Sequence, residues 1–155
     1  MISSLLKKIF PPKNLKVDAH NTYVQLVEKS RQPFFYEECG VADTIDGRFD
    51  VIVLHIFLLS RRIKNENPDF VRAVWEVFFA DMDRSLREMG ASDTGIGKRI
   101  KKMVQAFYGR IDSYEKTIDN IEDFKDSLKR NLYRNIAVSE EQLDKITAYI
   151  ANNYL

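Results

Sequence analysis

Between Asp81 and Arg110 the chain reads DMDRSLREMGASDTGIGKRIKKMVQAFYGR. Acids, arginines, glycines, a lysine cluster and an aromatic pair crowd one short stretch. The GIGK of Gly95–Lys98 invites a phosphate loop. Such a loop needs Gly, four residues, then Gly-Lys-Ser/Thr, preceded by a buried strand. Here Ser92 stands where the first glycine belongs, Arg99 follows the lysine, and a helical pattern precedes. The glycines are therefore expected to shape a turn between helices. Asp81 and Asp83 are two residues apart, about 200° around a helix, so they cannot easily share a metal or form a carboxylate dyad. Arg84 and Arg87 are ready partners, and Asp83 to Arg87 has the i, i+4 spacing of a helical ion pair.

Other reactive side chains are sparse. The histidines are His20 and His55, and the cysteine is Cys39. His55 lies in the most apolar segment and is expected to be a satisfied core residue. Cys39 follows two glutamates, which raise a thiol's pKa and lower its reactivity. No nucleophile–base pair, metal-ligand spacing or cofactor loop stands out, so neither an enzyme nor a cofactor is expected. The clearest asymmetry is basic. Lys98, Lys101, Lys102 and Gln105 fall opposite the apolar arc Ile96, Ile100, Met103, Phe107, Ile111, Tyr114 and Ile118, with Arg99 flanking. Positive charge near a helix start opposes the macrodipole. Contact with phosphates, an anionic membrane surface or an acidic partner would justify it; a solvated face balanced by neighbouring acids is the plain alternative.

The elements that carry these residues read as helices almost throughout. A short amphipathic element spans Ile2–Phe10, with Lys7 and Lys8 on its polar side, and ends at Pro11 and Pro12. A second helix runs from near Asp18 to before Pro33, burying Tyr23, Val24 and Val27. The aromatic stretch PFFYEECGVADTIDG reads as a loop or short helical turn folded back on the core. Arg48–Asn65 is apolar nearly all round, the mark of an enclosed helix. Pro68 begins a fourth helix capped by Asn67, with the stripe Phe70, Val74, Trp75, Phe78, Met82 and Leu86 and Gly90 as its C′ residue. A fifth runs from Asp93 or Thr94 to Thr117. Shorter helices cover Ile121–Arg134 and Glu140–Asn153, the latter opened by a Ser139/Gln142 capping box. This predicts an all-α fold: a single compact helical domain of about six or seven helices over 13–155, with an amphipathic helix over 1–12.

The totals fit this. The 155 residues suffice for one core, and 24 basic against 23 acidic residues leave a net charge of +1, so any electrostatic signal is local. One cysteine allows no internal disulfide, which suits a reducing compartment. The apolar run Val51–Leu59 is too short to span a bilayer.

Two blocks, DGRFDVIVLHIFLLSRRIK and FFADMDRSLREMGASDTGIGKRIKKMVQAFYGR, resemble the signature blocks of the ubiquinol–cytochrome c chaperone family, in its short bacterial type. The resemblance covers about Pro33 to Tyr114. It implies an all-helical, non-enzymatic assembly factor for the respiratory cytochrome bc complex. The implied partners are newly made cytochrome b, a small partner protein and the ribosome near its exit. The implied place is the cytoplasmic face of a bacterial inner membrane, or the matrix side if eukaryotic. On this reading Arg48, His55, Asp81, Asp83, Arg84, Arg87, Gly90, Tyr108, Gly109 and Arg110 are signature residues that shape the scaffold. Lys98, Arg99, Lys101 and Lys102 are the candidate partner contacts, and residues 1–10 a further membrane contact. No DNA is expected. The alternative is a helical nucleic-acid- or ribosome-binding module built on the basic stripe.

Overall fold

A computed structural model describes residues 14–90 and 93–155. Among the described residues the chain is all-α, as the spacing predicts. α1 is Leu15–Ser30, α2 Ile45–Ile63, α3 Pro68–Glu88, α4 Asp93–Thr117, α5 Ile121–Asn131 and α6 Glu140–Tyr154, with a π-helical turn at Phe34–Glu38 between α1 and α2. The element expected over Ile2–Phe10, the segment 1–12 and any membrane contact through residues 1–10 lie outside the described residues. No described helix is long and apolar enough to cross a membrane.

The chain groups into two compact units. The first takes the residues up to Gln25 with Ile63–Tyr108; the second takes Leu26–Arg62 with Gly109–Leu155. In the first unit, α3 opens as its sequence dictates. The Asn67 side chain accepts the Phe70 N–H at 3.1 Å, with Pro68 in the first turn. It closes at Gly90, whose φ of +83° is left-handed and suits glycine. Tyr23 of α1 meets Phe78 at 6.2 Å between ring centroids, and Phe78 meets Phe107 of α4 at 5.4 Å. The buried apolar side chains of this unit also include Val71, Val74, Leu86 and Ile96. The buried side of α1 is Ala19, Tyr23 and Leu26, while Val24, expected with them, is exposed. Val24 lies one 100° step beyond Tyr23 and so leaves that arc.

In the second unit, Val51, Leu54, Phe57 and Leu58 of α2 pack with Tyr114, Phe124, Leu128, Leu143, Ile146 and Ile150. The aromatic stretch after Pro33 does fold back on this core: Phe35 is buried, and Phe34 and Tyr36 pack against it. It is a π turn, closed by the Cys39 N–H donating to the Phe34 carbonyl at 2.9 Å. The Ser139/Gln142 capping box starts α6, its two hydrogen bonds at 3.0 and 3.1 Å. α5 stops at Asn131 rather than Arg134. Arg134 and Asn135 take φ of 51° and 61°, left-handed values that no right-handed helix continues through.

Two glycines separate packing from freedom. A β-carbon on Gly47 would be driven into the Ala42 carbonyl, whereas one on Gly109 meets nothing within 4 Å. Gly47→Ala should therefore lower stability by about 2–3 kcal/mol, and Gly109→Ala, mid-helix and open, should raise it by about 0.5–1 kcal/mol. Urea unfolding of the two variants checks both signs.

Candidate binding surface

The second unit contains a fully buried carboxylate. Asp50 is 0% exposed on α2. Arg134 holds it with two bonds, Nε to Oδ2 at 2.7 Å and Nη2 to Oδ1 at 3.2 Å. Arg110 of α4 adds Nε to Oδ1 at 3.0 Å. Its guanidinium also bonds the Asn131 carbonyl at 3.1 Å and lies 6.0 Å over the Phe49 ring. Burial lifts the Asp50 carboxyl above its ordinary value even though both arginines pull the other way. Arg110 was expected from the sequence as a scaffold residue; Asp50 and Arg134 were not singled out. The signal for Asp50 was a carboxylate set directly before the apolar run Val51–Leu59, where burial demands a cation.

His55 is equally enclosed. Its Nδ1 lies 2.9 Å from the Val51 carbonyl and 3.1 Å from Ser30 Oγ, which itself donates to the Leu26 carbonyl. A carbonyl only accepts, so Nδ1 carries the proton. Nε2 then accepts the Tyr149 hydroxyl at 2.8 Å. Burial pushes the imidazole pKa down to about 4. This is a neutral, satisfied core histidine with no substrate access. Cys39 is buried too, and its pKa is pushed up to about 12 by burial and then by Glu38. Among the described residues no cluster of histidine, cysteine or acid side chains could hold a metal ion.

In the first unit Asp69, Asp81 and Asp83 of α3 each pair with an arginine of the same helix. Asp83 meets Arg87 at 3.1 Å, the i, i+4 pair the spacing allows. Asp81 pairs with Arg84 and accepts the Tyr23 hydroxyl at 2.6 Å. In the second unit Arg48 bonds Asp43 at 2.8 Å on the surface. None of the pairs of Asp81, Asp83 and Asp43 is arranged around a cavity. Lys98, Arg99, Lys101 and Lys102 are exposed on α4 and make no ion pair with a described residue. No described carboxylate comes within 4.0 Å of their charged nitrogens.

Close to this stripe is a groove of about 390 Å³ between α3 and α4, lined by Val71, Arg72, Trp75, Phe79 and Tyr108 with Pro68 and Glu76. Trp75 and Phe79 are half-buried and Tyr108 is 50% exposed. Trp75 stands edge-on to Phe107 at 5.0 Å and to Tyr108 at 5.9 Å, and Phe79 lies 6.3 Å from Tyr108. Sequence periodicity put Trp75 in the buried stripe. It sits at that stripe's edge instead, where the ring gains packing on one side and leaves the other in the groove. Tyr108 had been read as scaffold; it forms the groove's rim.

The ubiquinol-cytochrome C chaperone family model matches residues 37–154 of the chain. A Xenopus laevis protein, ubiquinol-cytochrome-c reductase complex assembly factor 1, is 25% identical over 146 residues, covering 88% of this chain and 70% of its own length. The Mus musculus protein of that name is 24% identical over 140 residues, again 88% of this chain but 48% of its own, so the chain spans about half of it. The crystal structure of the Cbp3 homolog from Brucella abortus superposes with a TM-score of 0.76 at 32% identity, covering 97% of this chain and 84% of that one.

Two outcomes follow from the buried polar groups. His55 is held near 4 against an ordinary 6.5, so the unfolded chain binds the extra proton between those values. Its contribution is complete above pH 6.5 and is lost as pH falls toward 4, by about 1.4 kcal/mol per unit and roughly 3 kcal/mol in all. Urea midpoints measured over that range should fall faster for the native chain than for His55→Asn. Asp50→Asn leaves two guanidiniums facing an uncharged amide and should cost roughly 3 kcal/mol by the same measurement.

Proposed function

The chain belongs to the ubiquinol–cytochrome c chaperone family, and from that premise we propose that it holds newly made cytochrome b while the ubiquinol–cytochrome c reductase complex is assembled. Holding needs no bond making. The reactive candidates support this: His55 and Cys39 are buried, and Asp81 and Asp83 are paired with arginines on the same helix. The observation that carries the reading is the α3/α4 groove, where Trp75, Phe79 and Tyr108 present apolar faces to solvent.

An apolar segment waiting for its cofactor or for the next subunit needs a temporary apolar partner. Half-exposed aromatics suit that task because each buries a large area at little entropic cost. Burial contributes about 25 cal/mol per Å² before association costs are subtracted. Arg72 and Glu76 at the groove edge give it polar limits. The relatives named as assembly factors of this complex support the client's identity, since cytochrome b is a membrane subunit whose spans are apolar. The ribosome near its exit and a small partner protein are the further partners this reading carries, and the cytoplasmic face of a bacterial inner membrane is the place where such a client emerges.

Tyr108→Asp puts a charge on the groove rim at a position already half exposed. It should weaken capture of cytochrome b, made in a cell-free system and cross-linked to the purified protein, by at least about tenfold. Far-ultraviolet circular dichroism should be unchanged. Val24→Asp, an exposed apolar position on α1, should capture as the native chain does. Because Trp75 is the chain's one tryptophan, its emission should shift to the blue when the groove fills. Equal capture by both variants, with no shift in Trp75 emission, would remove the groove from the account.

A further inference from the structure

Four of the cations of α4, Lys98, Arg99, Lys101 and Lys102, take no part in the ion pairs of the described fold. They are exposed and make no ion pair with a described residue, and they project from the side opposite the buried Ile96 and Phe107. With 100° per residue, Lys98 and Lys102 are about 40° apart and Lys101 lies about 60° to one side of Lys98, with Arg99 on the other. This is one face roughly 160° wide. Tyr108 is seven residues beyond Lys101, so it lies about 20° away around the helix and roughly 10 Å along it. The aromatic groove and the basic stripe therefore occupy neighbouring parts of one side of α4. At the end of α3, Met89 adds a side chain 58% exposed.

We propose that this side of α4 docks on an anionic bilayer surface. Lys98, Arg99, Lys101 and Lys102 would lie against the phosphates, leaving the groove of Trp75 and Tyr108 to the client. The cations match that solvent. Lysine and arginine keep the charged head in water while the stem lies along apolar material. The stripe is short and lies on a chain with a net charge of +1. A nucleic-acid footprint would instead extend a basic surface over much of one face. A sheet of headgroups needs only a local patch, and its attraction fades within a Debye length of about 8 Å at physiological salt.

The test is sedimentation with vesicles of phosphatidylcholine alone or of phosphatidylcholine mixed with phosphatidylglycerol, at low and at physiological salt. No client is present, so the outcome is independent of what the groove holds. The protein should partition onto the anionic vesicles only, and less at higher salt. The variant Lys98→Gln/Arg99→Gln/Lys101→Gln/Lys102→Gln should lose at least about fiftyfold in partitioning, since each basic residue at such a surface contributes roughly fivefold. A matched variant of exposed cations elsewhere, Lys16→Gln/Lys29→Gln/Arg31→Gln/Arg130→Gln, should lose far less. An equal loss in both variants would overturn the proposal, because total charge would then explain the binding. So would absence of binding to anionic vesicles, or tighter binding of an RNA oligonucleotide that strips the protein from them.

Discussion

Asp50 is a carboxylate that water cannot reach, and the second unit is arranged so that two guanidiniums reach it instead. An isolated buried charge costs several kcal/mol, and only close, well-aligned cations offset it. That requirement fixes more than a side chain. Arg110 must stand on the face of α4 turned toward Asp50. Arg134 must come back from beyond α5, and two successive left-handed residues bring it there. The strain of Arg134 and Asn135, of order 1 kcal/mol for each, is tolerated because the ionic contact over-determines the turn. One turn before Asp50, Gly47 lets the chain entering α2 pass against the Ala42 carbonyl. An ion triad of this kind adds little net stability over an apolar substitute, but removing one member leaves an uncompensated buried charge.

In the first unit the corresponding constraint is aromatic. Phe78 and Phe107 are wholly enclosed, while Trp75, Phe79 and Tyr108 continue the same ring cluster outward into the groove. A buried base holds the outer rings in place, so the surface they offer is pre-organised rather than gathered when a client arrives. α4 carries three surfaces at once: an apolar arc inward, a cationic stripe outward, and Tyr108 at the border between them.

Much of this architecture could be read before any coordinates. The caps of α3 and α6, the close at Gly90 and the inward arc of α4 depend on residues within four positions of each other, where geometry is set locally. The pairing of Asp83 with Arg87 is equally local. The Asp50 triad was not legible, because its partners lie 60 and 84 positions away, a separation no periodicity encodes. The end of α5 was missed for the same reason: Arg134 adopts its left-handed backbone for the sake of that distant carboxylate. Val24 and Trp75 show a second limit. A stripe predicts a direction, but its width depends on what packs opposite, so residues at its edge are placed only by the tertiary structure. The groove is made of such edge residues, and the exposure of the nearby lysines was legible because exposure of charge is the default.

The burial of Cys39 has a practical corollary. The chain holds one sulfhydryl; it sits at the foot of the π turn, and its carbonyl accepts the Tyr133 hydroxyl at 2.7 Å. With its proton held far above neutrality, it supplies almost no thiolate to electrophiles while the second unit is intact. Maleimides and disulfide probes should therefore pass the native residue by. A cysteine placed anywhere on the surface becomes an addressable label without first removing the natural one, and the natural one becomes a silent marker that reacts only when its surroundings come apart.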